Sequence, residues 1–174
     1  YRTVEEIERF PVIIKPVDEG SSKGVFLCNN REEAEEAVKK LARPIIEDYI
    51  VGEELTVGVL NGKALGVLKI IPQADVLYDY DSKYADGGSI HEFPAKIENK
   101  SYKEAMKIAE KIHSEFGMKG ISRSDFILSE GELYFLEVNS SPGMTKTSLI
   151  PDLATLKGYT FDDVVRITVE TFLK

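Results

Sequence analysis

Apolar positions recur along this chain in two rhythms, and those rhythms divide it into elements. Short apolar or alternating runs predict strands at Phe10–Pro16, Gly24–Cys28, Ile45–Ile50, Glu54–Leu60, Ala64–Ile71, His91–Ala95, Ile121–Leu128 and Leu133–Val138. Asn61-Gly62 joins the fourth run to the fifth as a tight hairpin turn, and Ser129-Glu130-Gly131-Glu132 joins the last two. Helical spacing appears in Ala34, Ala37, Val38 and Leu41, where Asn30 is the expected N-cap and Glu33 completes a capping box. It returns in Ala105, Ile108, Ala109, Ile112 and Phe116, with Ser101 as cap, Glu104 three residues on and Gly117 as the stop. His113 flanks that stripe and is expected at the surface or its boundary. Pro151–Leu156 reads as a short turn or helix. A last helix, capped by Thr160 and running through Leu173, sets Val164, Ile167, Thr168 and Phe172 on one side. The stretch Asp75–Gly88 has no apolar period, and its length predicts a mobile functional loop.

Chemistry concentrates at the last strand pair. Asp125 lies on the first of these strands, and Glu137 and Asn139 end the second. Residues two apart on a strand share a face, and an antiparallel partner reaches the same face. Two carboxylates and an amide oxygen are hard donors suited to Mg²⁺ held together with substrate phosphates. Arg123 adds a positive charge to that face. Apolar Ile127, Phe135, Leu136 and Val138 argue for a central strand pair rather than a surface ribbon. Ser140-Ser141-Pro142-Gly143-Met144-Thr145 follows as a loop of small residues. Lys15 sits inside an apolar strand, where its charge is costly unless it meets an anion. Glu19-Gly20-Ser21-Ser22-Lys23-Gly24 lets backbone N–H groups crowd an anion, although it lacks the Walker A ending.

Composition narrows the classes. The 174 residues are 43% hydrophobic and 30% charged, an ordinary globular balance. A net charge of −8 disfavours nucleic acid as a partner. The lone Cys28 excludes an internal disulfide framework and reads as a core thiol. No apolar run is long enough to span a membrane and no signal peptide is visible, so the cytoplasm is the expected location. The chain starts at Tyr1 rather than Met and enters a helix-like piece almost at once, as a piece of a longer protein would.

The run R-x-D-F, followed by L-E-V-N-S-S-P-G-M-T-x-x-S-L-I-P, resembles the D-alanine–D-alanine ligase family of the ATP-grasp superfamily. E-G-S-S-x-G and D-Y-x-x-K-Y match that family's phosphate-covering and lid loops. The resemblance implies an α+β ATP-grasp fold, two subdomains with mainly antiparallel sheets gripping a nucleotide between them. The first would be residues 1–48, incomplete at its N-terminus, and the second 49–174. It implies ATP-dependent joining of two D-alanines through an acyl phosphate, for peptidoglycan precursor synthesis. The cofactors would be ATP and two Mg²⁺ ions, which Mn²⁺ could replace. Asp125, Glu137 and Asn139 would hold the metals, with Glu137 bridging. Lys15, Ser21, Ser22 and Lys83 would meet the phosphates, and Ser21 would also help hold the closing loop. Glu47, Asp48, Tyr49 and Ile50 would line the adenine pocket and Glu54 would take the ribose. Arg123 and the Gly143 N–H would face the oxyanion, Tyr84 would close over the substrate, and Ser148 and Leu149 would meet the second D-alanine's carboxylate. The Lys83-Tyr84 pair argues for an amine as second substrate. The family's N-terminal domain, which grips the first D-alanine, would be the missing partner, and a homodimer is a further implication. The alternatives are another ATP-grasp carboxylate–amine ligase, or a nucleotide-binding piece inactive on its own.

Overall fold

The computed structural model describes residues 1–20, 22–72, 89–145 and 148–173. The chain forms two compact units, one built on Tyr1–Val51 and the other on Gly52–Ile71 with His91–Lys174. Tyr49–Val51 group with the first unit, where the Tyr49 N–H donates to the Pro11 carbonyl (3.3 Å) beyond the last strand. Ser21, Lys83 and Tyr84, with the whole of the expected loop Asp75–Gly88, lie outside the described residues.

The first unit is a three-stranded antiparallel sheet in the order β2 (Phe26–Cys28), β1 (Val12–Pro16), β3 (Pro44–Asp48). Strand alternation sends Val12, Ile14, Cys28 and Ile46 to one face. There they pack with Val4, Ile7, Ala34 and Ala37, the last two from helix α1 (Arg31–Lys39). The expected cap is present: Asn30 accepts from the Glu33 N–H (3.0 Å). Glu33 reaches back to the Asn29 N–H (2.8 Å), one residue earlier than in the standard box. Cys28 is buried, and burial raises its thiol pKa, which keeps it a protonated core residue.

The second unit is a five-stranded antiparallel sheet in the order β6 (Ser89–Glu92), β5 (Lys63–Pro72), β4 (Glu53–Leu60), β7 (Ile121–Ser129), β8 (Glu132–Asn139). Asn61 and Gly62 both have positive φ (49° and 78°), as a two-residue primed turn requires. Leu55, Val57, Val59, Val67, Phe126 and Leu128 form the main core with Ala105 and Ala109 of α2 (Asn99–Glu115). The chain enters β4 hard against β7: a Cβ on Gly52 would lie 2.4 Å from the Leu128 carbonyl oxygen, so only glycine fits there. Helix α3 (Leu149–Thr155) brings Ile150 and Leu153 over Gly58 on the sheet's other face, and α4 (Phe161–Phe172) follows. Thr160 is the N-cap of α4 as expected, and with Asp163 it forms a reciprocal capping box. Among the described residues no helix is long and apolar enough to cross a membrane.

Several expectations are corrected. Among the described residues β8 is an edge strand, not a central one, and Phe135 is 46% exposed. An apolar run does not reveal whether a strand has a neighbour on both sides. The strand near His91 begins at Ser89 and stops at Glu92, before Pro94, which has no N–H to offer a ladder. Helix α2 starts at Asn99, so Ser101 lies inside it, buried, and Glu98 occupies the cap position. Its C-terminus is as expected: Gly117 (φ 61°) donates to Ser114 and Met118 to His113, a Schellman closure. Phe116 is 71% exposed and does not join the buried stripe, because it falls at the C-cap where the helical direction ends.

His113 takes the buried place instead, with its Nδ1 2.8 Å from the Ser122 hydroxyl of β7. Burial lowers its pKa below the ordinary histidine value. As pH falls, the unfolded chain therefore binds this proton first. The stability that neutral His113 contributes is complete above the unfolded pKa of about 6.5 and is lost progressively as pH drops toward the lower folded value. Urea midpoints should fall between pH 7 and pH 5, and His113→Asn should flatten that dependence. A wild-type midpoint constant across the range would exclude the effect.

Candidate active site

The β7–β8 hairpin builds the densest cluster of polar side chains. Asp125 stands opposite Glu137 and Arg123 opposite Asn139, so the four share one face. The pairing then slips: Phe126 opposes Phe135, which leaves Leu136 as an extra residue in β8. This bulge resolves a conflict in the pattern. Without it Phe135 and Glu137 would point the same way. With it Phe135 turns to the core side and meets the Phe126 ring edge-on (5.7 Å between centroids), while Glu137 stays on the polar face.

Asp125 is buried, and both of its oxygens accept hydrogen bonds. Its Oδ1 accepts from the Thr56 hydroxyl of β4 (2.5 Å) and from Arg123 Nε (3.0 Å), and its Oδ2 accepts from Arg123 Nη2 (2.8 Å). Asn139 Oδ1 accepts from the Ser141 N–H (2.9 Å) and fixes the start of the following loop. Glu137 is exposed. Glu54, opposite Ile127, and Thr56, opposite Asp125, lie on the same face of β4. Thr56 was not legible as a site residue. The one signal was a hydroxyl within the otherwise apolar run Leu55–Leu60.

After β8 the loop folds back on itself. The Ser148 hydroxyl accepts from the Thr145 N–H (3.0 Å) and lies 2.8 Å from the Thr145 hydroxyl. A Cβ on Gly143 would come within 2.9 Å of Ser148 Oγ, so glycine lets these two stretches meet. Ser148 and Leu149 open α3, and Ser148 makes no side-chain bond to the helix end. His91 Nδ1 lies 3.1 Å from Asp152 of α3.

The first unit carries its own polar group. Lys15 pairs with Glu47 across β1 and β3 (2.7 Å), on the sheet face away from the core, beside half-buried Ile13, Leu27 and Ile45. Glu47 is thus one anion that the embedded lysine meets. Asp48 points to the opposite face, where Arg9 (2.6 Å) and the Tyr1 hydroxyl (2.9 Å) bind it. The hydrogen bonds from Arg9 lead in holding its carboxyl below the usual range. Tyr49 and Ile50 are half-buried, as is Ser22, which adopts a left-handed φ of 57° in the turn after Gly20.

The donor set suits magnesium. Asp125, Glu137 and Asn139 offer only hard oxygens from one face, and two carboxylates plus phosphate is how Mg²⁺ is ordinarily held. No group of three or more His, Cys, Asp or Glu that could hold a metal exists among the described residues. An all-protein cage is thus not what this face provides.

Two antiparallel α+β units of this kind define the ATP-grasp class. A family model described as D-ala D-ala ligase C-terminus matches residues 1–170, and the chain belongs to that family. The D-alanine--D-alanine ligase of Fusobacterium nucleatum subsp. nucleatum is 94% identical over 174 residues, covering all of this chain and 61% of its own length. That of Sinorhizobium fredii is 44% identical over 169 residues, covering 92% of this chain and 55% of its own. The chain therefore spans little more than half the length of these relatives. Among solved structures, the D-alanine--D-alanine ligase of Bacillus anthracis superposes with a TM-score of 0.81 at 30% identity, covering 94% of this chain and 55% of that one. The VanG D-Ala:D-Ser ligase of Enterococcus faecalis gives 0.83 at 28%, covering 97% and 51%.

Proposed function

We propose that this chain is the nucleotide- and metal-holding part of an ATP-dependent D-alanine–D-alanine ligase that supplies peptidoglycan precursors in the cytoplasm. The observation that carries the reading is the opposition of Asp125 to Glu137 and of Arg123 to Asn139 on one face of the hairpin. Phosphoryl transfer needs little from a protein beyond positioning and charge neutralisation. Lys15, Ser21, Ser22 and Lys83 supply donors and positive charge for the phosphates. Glu47, Asp48, Tyr49 and Ile50 receive the base and Glu54 the ribose. Asp125, Glu137 and Asn139 would hold the two Mg²⁺ ions, with Glu137 serving both. Bound magnesium neutralises phosphate charge and polarises the transferred group.

The first D-alanine's carboxylate attacks the γ-phosphate, giving an acyl phosphate and ADP. The second D-alanine's amine then attacks the acyl carbon, and phosphate leaves. Arg123, aimed by Asp125, and the Gly143 N–H meet the charge that develops on the acyl oxygen. Ser148 and Leu149 take the second carboxylate, and Tyr84 closes over the site. The group that grips the first D-alanine's ammonium belongs to the N-terminal part of the full-length protein, which we also take to form a homodimer.

The full-length protein should release ADP and form D-alanyl-D-alanine when given ATP, Mg²⁺ and D-alanine. The isolated 174 residues should form no dipeptide. Offering D-serine or D-lactate as second substrate separates this ligase from its relatives, and a preference for either over D-alanine would contradict the substrate assignment. Substantial dipeptide synthesis by the isolated chain would refute the need for the N-terminal part.

A further inference from the structure

We propose that Thr56 is a positioning residue for metal binding: its hydroxyl fixes the orientation in which Asp125 presents its carboxylate to a divalent cation. The inference rests on the reading of Asp125 as a metal ligand.

Thr56 stands directly opposite Asp125 in the β4–β7 ladder and is fully buried. Its neighbours along the strand are Leu55, Val57 and Val59, all fully buried and apolar. Packing alone would accept valine here, which has threonine's shape without the hydroxyl. The hydroxyl donates to Asp125 Oδ1 at 2.5 Å. A β-branched side chain on a strand has restricted χ1, so this donor is set by the backbone of β4. Arg123, the other partner, reaches Asp125 through a long side chain and takes Oδ2 at 2.8 Å. Arg123 Nε also donates to Oδ1 (3.0 Å), so donors on both oxygens, one of them rigid, restrain the carboxylate plane from turning.

The two partners differ in what they do to the charge. Arg123 offsets the negative charge that a cation needs. Thr56 is neutral, so it orients the carboxylate and leaves that charge in place. Each carboxylate oxygen has two lone-pair directions. Thr56 and Arg123 Nε take those of Oδ1, and with the carboxylate plane fixed, the direction on Oδ2 not taken by Arg123 Nη2 is held at a defined angle for a cation. Supporting groups behind metal ligands typically change metal affinity by about 10–100-fold when removed.

The test uses the full-length protein with a non-hydrolysable ATP analogue and Mn²⁺ as the probe, its binding followed by water-proton relaxation. Thr56→Val is expected to weaken Mn²⁺ binding about tenfold and to raise the KM for metal–nucleotide more than it lowers kcat. Thr56→Ser, which keeps the hydroxyl, should bind Mn²⁺ within about twofold of wild type. Thr56→Ala serves as a second hydroxyl-free variant should Thr56→Val not fold. Wild-type Mn²⁺ affinity in either hydroxyl-free variant, with Asp125→Asn weakened, would overturn the positioning role and leave the metal reading standing. Undiminished Mn²⁺ binding by Asp125→Asn would overturn both.

Discussion

Glu137→Gln in the full-length protein should lower the rate of phosphoryl transfer by about 10²–10³-fold, the scale seen when one preorganised charge-stabilising group is removed. The substitution keeps size and shape and removes only the negative charge. Glu137 is exposed, and surface substitutions usually stay within about 0.5 kcal/mol, so the fold should be unaffected. The loss should exceed that of Asp125→Asn by about tenfold, since a bridging carboxylate serves both ions and a terminal one serves a single ion. ADP release at saturating ATP and D-alanine, read beside thermal melting, checks both halves. Equal rate losses in the two variants would remove the bridging role from Glu137.

Asp125→Asn should have the larger effect on stability. Arg123 and Asp125 are a nearly buried pair, with side chains 18% and 12% exposed. Removing one member leaves the other's charge without its counterpart in a poorly solvated place, and such losses commonly reach about 3–5 kcal/mol. Partial exposure places this one at the low end, about 2–3 kcal/mol, measurable by urea denaturation. Asparagine also offers its amide N–H₂ where Asp125 presented only acceptors, so contact with the Arg123 or Thr56 donor deteriorates as well. Arg123→Met with Asp125→Asn should recover part of the loss, because the two share one interaction. A double variant that loses the sum of the single losses would show that the pair contributes no coupling.

Local rules made much of this fold legible. The Asn61-Gly62 turn and the Thr160 cap were legible because both are read from a few adjacent residues. The contents of the polar face were legible for the same reason: Glu137 and Asn139 are two apart, and the turn at Ser129–Glu132 returns them to Asp125. What could not be read depends on partners distant in the chain. The bulge at Leu136 reverses the facing of Phe135, and period counting assumes no such slip. The depth of His113 is decided by Ser122, nine residues away on β7. Thr56 meets Asp125, separated by 69 residues. The pairing of Lys15 with Glu47 likewise required the β1–β3 register.

The most direct measurement is the number of Mn²⁺ ions bound per chain by the full-length protein with a non-hydrolysable ATP analogue, for wild type, Asp125→Asn and Glu137→Gln. If the opposed carboxylates on this hairpin hold the metal–nucleotide, wild type binds two ions, Asp125→Asn keeps one tight site, and Glu137→Gln weakens both. The same stoichiometry and the same affinities in all three proteins would contradict the account.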